Sequence, residues 1–136
     1  MIQFVNDIVS LPALDYRHVE RWIRKVAAGY GFDTGDITYI FCSDERILEV
    51  NRRFLGHDYY TDVITFDYST ANRISGDIYI SLETVASNAI VAGVSFEDEL
   101  RRIIIHGVLH LTGQGDKTPE TKAQMTAKEE AALAIF

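Results

Sequence analysis

Residues 103–113 read Ile-Ile-Ile-His-Gly-Val-Leu-His-Leu-Thr-Gly, and the rest of the chain has to fold around them. A helix that is hydrophobic on nearly every side must be buried. Ser95 and Asp98 have the spacing of a capping box ahead of this helix, and Gly113 is a natural residue just beyond its end. The stretch therefore predicts a long central helix that other elements cover.

On both sides of this helix, strand patterns and helix patterns alternate along the chain. β-branched and aromatic runs predict strands at about residues 1–5, 37–42, 63–68 and 74–81. Helical spacing predicts further helices at about residues 16–30, 45–55, 82–91 and 119–135. No repeat or linker interrupts the pattern, so we expect a single domain over residues 1–136. The expected fold class is α+β: about four strands in a mixed sheet packed by about five helices, with a metal site at the end of the buried helix.

Two of these helices carry specific expectations. The helix over residues 16–30 has apolar residues that recur at helical spacing and should face the core. They are Val19, Trp22, Ile23, Val26 and Ala27. Asp44 is expected to cap the next helix, and its inward-facing residues should be Ile47, Leu48 and Phe54. The polar segment 56–62 follows and predicts a loop, in which His57 and Asp58 are exposed.

The composition excludes several classes of protein. The chain has 136 residues, a formal net charge of -7 and one cysteine. A single cysteine excludes a disulfide framework and a cysteine-based zinc finger. The acidic balance argues against coating of nucleic acid through bulk charge, so any RNA or DNA partner would have to be held by a local patch. The amino terminus lacks an export signal and no apolar run is long enough to span a membrane, so we expect a cytoplasmic protein with no membrane partner.

The central helix carries a candidate metal site. His106 and His110 lie four residues apart, so their rings share one helix face. Gly113 ends the helix and lets the chain turn back to present Asp116. A lone histidine near an apolar helix is usually a hydrogen-bonded core residue, but burying two adjacent imidazoles without a shared partner is costly. Two nitrogens and one carboxylate oxygen leave an open position for water, which is typical of a catalytic site.

The spacing of these residues is that of the long zinc-protease motif. In those proteases a glutamate follows the first histidine and acts as the general base, whereas this chain has Gly107. Without that proton acceptor, peptide hydrolysis by the same mechanism is disfavoured. Another hydrolytic use of metal-activated water is favoured instead.

Three segments resemble one known family. HGVLHLTGQGD at residues 106–116 resembles the signature H-G-x-L-H-L-x-G-Y-D-H. Residues 50–66 resemble the motif L-N-x-x-Y-R-x-x-D-x-P-T-D-V-L-S-F, and residues 76–81 resemble G-D-I-x-I-S. Over about residues 37–130, the chain is therefore similar to the YbeY proteins, which are bacterial metal-dependent endoribonucleases of ribosomal RNA maturation.

The resemblance implies a ligand set and a cofactor. His106 and His110 match the first two zinc ligands of the family, and Asp116 stands at the usual third histidine. The implied cofactor is one divalent metal ion, expected to be zinc, although two histidines and a carboxylate also suit iron(II). The added negative charge of Asp116 should make the ion a weaker Lewis acid. Gln114 and Gly115 also replace the usual Tyr-Asp of the family.

Substrate-binding and proton-transfer residues are less directly implied. Leu55 occupies the position of a family arginine, which leaves Arg52 and Arg53 as candidate substrate-binding cations or as a solvated helix face. Arg73 is a further candidate cation for the RNA backbone. Asp62 can cap a turn, hydrogen-bond a ligand histidine or act as the base near metal-bound water.

By resemblance, the expected function is a single-strand-specific, metal-dependent endoribonuclease of ribosomal RNA maturation and ribosome biogenesis. The implied partners are ribosomal RNA and the small ribosomal subunit or its assembly factors, and no DNA partner is expected. One alternative is a non-catalytic ribosome-assembly factor with a structural metal, which the loss of arginine at Leu55 and of the third histidine at Asp116 motivates. A third choice is a metallopeptidase without the usual glutamate.

Overall fold

A computed structural model describes residues 1–56 and 62–136. Within those ranges the strands are β1 (Ile2–Asn6), β2 (Asp33–Cys42), β3 (Val63–Asp67) and β4 (Arg73–Ser81). The helices there are α1 (Tyr16–Gly29), α2 (Asp44–Val50), α3 (Leu82–Ala92), α4 (Phe96–Leu111) and α5 (Pro119–Ala134), and a π-helical turn, Asn51–Leu55, extends α2. The α+β class with a four-stranded mixed sheet is confirmed for this part of the chain. The loop expected to expose His57 and Asp58 lies outside the described residues.

The described strands form one sheet in the order β1-β2-β4-β3. β1 is parallel to β2 because α1 returns the chain to the same end of the sheet. β2 is parallel to β4 because β3 runs back along the sheet before β4 begins. β3 precedes β4 directly and pairs with it in antiparallel fashion, with Val63 opposite Ile80 and Asp67 opposite Gly76. Among the described strands, β3 therefore lies at one edge of the sheet.

The two faces of the sheet carry different cores. One face of β2 and β4 packs against α1 and α4 through side chains that are fully buried, namely Ile37, Tyr39, Phe41, Ile74, Ile78 and Ile80. The residues predicted to face inward from α1 are all buried here, as expected. On the other face, a smaller cluster joins α2 to the sheet through Cys42, Ile47, Val50 and Ile64. Alternation along the strands separates these two clusters.

α4 is held close to the middle of the sheet. The Tyr39 hydroxyl on β2 donates to the Ile104 carbonyl over 2.8 Å. At Gly107 the helix meets β4 so closely that an added Cβ would lie 2.9 Å from Ile78 Cδ1. These contacts fix the depth of the turn that carries His106. Nowhere in the described ranges is there a helix that combines the length and the apolar character needed to cross a membrane.

The start of α2 differs from the expectation. Ser43, not Asp44, is its N-cap, and the Ser43 hydroxyl accepts from the Arg46 amide over 3.2 Å. The Asp44 carboxylate instead accepts from the hydroxyls of Ser81 and Thr84, so that it joins α2 to the start of α3. The Ser43 hydroxyl already accepts from the exposed Arg46 amide, so the Asp44 carboxylate is available for partners outside α2.

The end of the α2 segment also differs. Leu48 is half-buried, but Phe54 is 62% exposed although helical spacing predicted an inward position. Phe54 lies in the π-helical turn, whose wider winding shifts the residues after Val50 out of the 3.6-residue register. β2 also begins at Asp33 rather than at residue 37.

A capping box was expected at the start of α4. Among the described contacts, Ser95 is the N-cap and its hydroxyl accepts from the Asp98 amide, without the reciprocal bond from the Asp98 side chain.

Candidate metal centre

The chain reverses direction immediately after α4. The Gly113 amide donates to the His110 carbonyl over 2.9 Å, and the Gln114 amide donates to the Leu109 carbonyl over 3.1 Å. This pair of bonds is the Schellman arrangement, and it requires the left-handed backbone that Gly113 adopts at φ +97°. The reversal brings Asp116 back beside the last turn of the helix.

Three side chains converge at this point. His106 Nε2 and His110 Nε2 are 3.0 Å apart. Asp116 Oδ2 lies 3.3 Å from each of those nitrogens. Within the part of the chain that the structure describes, His106, His110 and Asp116 are the group of side chains arranged to share one metal ion. The structure thus brings together the three ligands predicted from the sequence.

The spacing of the donor atoms fits a tetrahedral ion. Nitrogen and oxygen ligands bind zinc at about 2.0–2.1 Å, so two ligands of a tetrahedral site lie about 3.3 Å apart. The donor separations here are 3.0 and 3.3 Å. With one face of the set open, the residues present suit a divalent cation with three protein ligands and a vacant position.

Each histidine is oriented through its other ring nitrogen. His106 Nδ1 is 2.5 Å from Glu129 Oε2, and His110 Nδ1 is 3.0 Å from the Gln114 carbonyl oxygen. The carbonyl can only accept, so His110 carries its proton on Nδ1 and presents the Nε2 lone pair to the centre. The Glu129 carboxylate imposes the same tautomer on His106.

Glu129 belongs to a buried charged network. It is 4% exposed and lies 3.3 Å from Arg102 Nη1, and Arg102 also contacts Glu99, which is 3% exposed. Hydrogen bonding to Glu99 raises the pKa of Arg102, so this guanidinium stays charged and compensates the buried carboxylates. Sequence reasoning missed Glu129. The sequence feature that could have revealed it is an acidic residue at helical spacing between Met125 and Ala132, on the buried face of α5.

The protonation of His110 favours metal binding. Burial lowers the pKa of His110, and the neighbouring His106 lowers it further, while Asp116 acts in the opposite direction. A lowered pKa keeps the imidazole neutral at physiological pH, which is the form that binds a metal.

An open cavity of about 290 Å³ lies beside the ligands. Its wall is formed by three alternate residues of β3 and by residues from the end of α4 and the loop beyond it. These are Val63, Thr65, Asp67, His110, Asp116 and Lys117. The Thr65 hydroxyl is buried and has no hydrogen-bond partner within the described ranges, and the Lys117 side chain is exposed. Lys117 and a divalent ion held by the ligands would together offset the carboxylates of Asp67 and Asp116, so a phosphate group would fit beside the ligands.

The other predicted residues lie outside this wall. Arg52 and Arg53 are exposed on the π-helical turn, and Arg73 is exposed at the start of β4. Asp62 accepts from the Asn88 side chain on α3 over 3.4 Å, and its carbonyl accepts from the Ser81 amide. The roles predicted for Arg52, Arg53 and Asp62 remain predictions. Lys117 and Thr65 were not predicted, since only the folded chain places them beside His110.

Comparison with known proteins decides the family. The family model described as endoribonuclease YbeY matches residues 6–136. The chain belongs to the endoribonuclease YbeY family. It is 54% identical over 135 residues to the protein named endoribonuclease YbeY of Parabacteroides distasonis, an alignment that covers 99% of this chain and 95% of the relative. The YbeY protein of Bacteroides thetaiotaomicron is 51% identical over 134 residues and is covered to 98%, as is this chain.

The fold is also shared with a solved structure. A protein of Thermotoga maritima, determined in solution, superimposes with a TM-score of 0.64 at 24% identity. The match covers 98% of this chain and 87% of that one. The match of the family model to residues 6–136 and the relatives at about 50% identity confirm the YbeY resemblance that the three sequence motifs indicated.

Proposed function

We propose that this chain is a single-strand-specific, metal-dependent endoribonuclease that acts on ribosomal RNA during ribosome maturation. The observation that carries the proposal is the convergence of His106, His110 and Asp116 to donor separations of 3.0–3.3 Å in a member of the endoribonuclease YbeY family. Three donors with an open side suit hydrolysis rather than structural metal binding.

His106, His110 and Asp116 would hold one divalent ion, for which we propose zinc. Such an ion supplies Lewis acidity that polarises a phosphoryl oxygen and lowers the pKa of a coordinated water. Asp116 contributes a negative charge, so the bound ion should be less acidic than one held by three histidines. Glu129 and the Gln114 carbonyl keep the two imidazoles in the tautomer that binds.

The cavity wall supplies the contacts for the substrate. Lys117 is placed to pair with a phosphate next to the ligands. Arg52 and Arg53 are proposed to hold the RNA backbone further away, in place of the family arginine that Leu55 replaces. Asp62 is proposed as a base or as a partner that orients the site.

The partners and the compartment belong to the same proposal. A net charge of -7 suits an enzyme that meets RNA already displayed on a particle, because free RNA would be repelled at long range. We propose the small ribosomal subunit or its assembly factors as partners, and the cytoplasm as the compartment.

The test combines metal analysis with RNA cleavage. Purified wild-type protein should hold about one equivalent of divalent metal and should cut an unstructured RNA. His110→Ala and Asp116→Ala should each lose both properties while remaining folded. His18→Ala is the matched control, because His18 lies on α1 and packs against Phe136, away from the ligand set. The absence of metal from wild-type protein, or cleavage that survives in His110→Ala, would refute the proposed site.

The same assay separates the alternatives. Ribosome binding without RNA cleavage under any divalent metal would favour the non-catalytic assembly factor. Cleavage of casein would favour the peptidase, although Gly107 packs on Ile78 where that reaction needs a glutamate.

A further inference from the structure

Exposed aromatic side chains gather beside β3, on the face of the sheet opposite α4. Phe54 in the π-helical turn and Tyr68 just after β3 are each 62% exposed. Together with Phe66, Asp77 and Tyr79 they line an open cavity of about 300 Å³, here called the aromatic cavity. Single exposed apolar residues are ordinary on a soluble protein, but a cluster of them indicates a binding surface.

Three rings of the aromatic cavity contact one another. Phe66 meets Phe54 and Tyr79 edge to face, with both centroid distances at 6.0 Å and interplanar angles of 86° and 79°. Phe54 is therefore anchored although most of its surface is open to solvent. An exposed ring that is already positioned loses little conformational freedom when a ligand stacks on it.

The polar group in the aromatic cavity is a carboxylate. Asp77 Oδ2 lies 3.5 Å from the Tyr68 hydroxyl. A carboxylate accepts hydrogen bonds and repels phosphate, so the cavity does not suit the backbone of a nucleic acid. It can accept from an exocyclic amino group, such as N6 of adenine or N4 of cytosine. Aromatic rings beside such an acceptor suit an amino-bearing base.

The aromatic cavity lies one strand away from the metal centre. Val63, Thr65 and Asp67 point from β3 into the cavity beside His110, whereas Phe66 points from the same strand to the opposite face. β3 is the edge of the described sheet, so a chain crossing that edge meets both cavities. The two cavities therefore open on opposite faces of the same edge strand.

We propose that the aromatic cavity is a base-stacking subsite for single-stranded RNA, which takes an amino-bearing base a few nucleotides from the bond that is cut. The identity of the ligand rests on the proposed function. Only an unpaired base offers a free face for stacking, so the subsite makes the enzyme select single strands.

The test measures RNA binding without cleavage. EDTA-treated wild-type protein is titrated against fluorescent decamers of adenylate and of uridylate, and anisotropy gives the affinities. Phe54→Ala and Tyr68→Ala should each weaken binding of the adenylate decamer about tenfold, as expected for the loss of one base–aromatic stack. Tyr30→Ala, which removes an exposed tyrosine at the end of α1, is the matched control and should bind as wild type. Phe54→Trp and Tyr68→Phe should restore binding because they keep a ring.

A second variant tests the choice of base. Asp77→Ala removes both the hydrogen-bond acceptor and a negative charge, and the loss of charge alone should strengthen binding of any polyanion. The informative quantity is therefore the ratio of adenylate to uridylate affinity, which should fall about tenfold or to near unity. An unchanged ratio would overturn the amino-base selection.

The outcomes separate the subsite from the proposed function. If wild-type protein binds the adenylate decamer through Phe54 and Tyr68 but cuts no RNA when metal is supplied, the subsite stands and the nuclease proposal fails. If wild-type protein cuts RNA while both alanine variants bind like wild type, the subsite is wrong and the nuclease proposal stands. Failure of wild-type protein to bind, or a loss of self-association instead of RNA affinity in the variants, would also overturn the subsite.

Discussion

Each ligand histidine is fixed through the ring nitrogen that faces away from the centre. His106 is fixed by a carboxylate from α5, and His110 by a backbone carbonyl in the turn after α4. The carbonyl is present in any sequence that adopts this turn, whereas the carboxylate depends on one residue. Glu129 is therefore the position at which metal affinity can be changed without altering a ligand.

We expect Glu129→Gln to weaken metal binding about 10- to 100-fold, the usual effect of removing a partner of a ligand histidine. The amide keeps the shape of the side chain but loses the charge that favours the Nδ1 proton of His106. Competition with a chromophoric chelator measures the affinity. Glu130→Gln, at an exposed neighbouring position, is the control. Equal affinities for the two variants would show that Glu129 does not act through His106.

Cys42 illustrates a buried residue with no chemical role. Burial, with a smaller contribution from the charge of Asp7, raises the pKa of its thiol to about 12. The thiol is fully buried, so it should stay protonated and unreactive at pH 8. We expect folded protein to react negligibly with a thiol reagent such as Ellman's reagent, and unfolded protein to react with one equivalent. Rapid labelling of the folded protein would contradict this.

At the scale of elements, α4 and β4 approach each other closely at Gly107. Ile78 fills the space beside this glycine, with Cδ1 and Cγ2 at 2.9 and 3.0 Å from where a Cβ would lie. Gly107 stands where the protease motif has its glutamate, and the same glycine lets α4 pack closely against the sheet. A glutamate at this position would collide with the core before it could act as a base.

We therefore expect Gly107→Ala to lower the free energy of unfolding by about 1–2 kcal/mol, because overpacking outweighs the better helix propensity of alanine. Gly107→Glu should be far more destabilising. Urea denaturation measures both changes. Gly29→Ala is the control, since nothing lies within 4 Å of its added Cβ. If Gly107→Ala were as stable as wild type, the core at Ile78 would have to yield more easily than packed cores usually do.

The candidate metal centre joins distant parts of the whole molecule. Its candidate ligands come from α4 and the loop that follows, and its buried support comes from Glu129 on α5, which pairs with Arg102 on α4. An ion bound only by the folded protein therefore stabilises the packing of α5 on α4. The size of that effect follows from the affinity and the concentration of the ion.

At a free metal concentration of about 100 times Kd, we expect a gain of about 2.7 kcal/mol, or roughly 10 °C in Tm for a domain of this size. Thermal melts with zinc and with EDTA measure it. His110→Ala should melt at one temperature in both conditions. A metal-dependent shift that persists in His110→Ala would place the stabilising ion elsewhere.

Local pattern was enough to predict most elements and the ligand triad. Val19, Trp22 and Ile23 are buried as helical spacing required, because periodicity reports which face of a helix meets the core. His106 and His110 could be paired from sequence because four residues make one helical turn. Gly113 and Asp116 completed the site because a left-handed glycine reverses the chain within a few residues. All of these depend on interactions between near neighbours.

The remaining features depend on residues far apart in the chain. Glu129 contacts His106 only because α5 packs on α4. Thr65 lines the cavity beside His110 only because β3 pairs with β4 at the sheet edge. Phe54 became exposed because the backbone widened into a π-helical turn, which side-chain periodicity does not encode. Spacing along the chain was enough to identify the three candidate ligands. Their buried support and the surfaces around them came from the fold, because those contacts arise from packing between elements rather than from spacing within one.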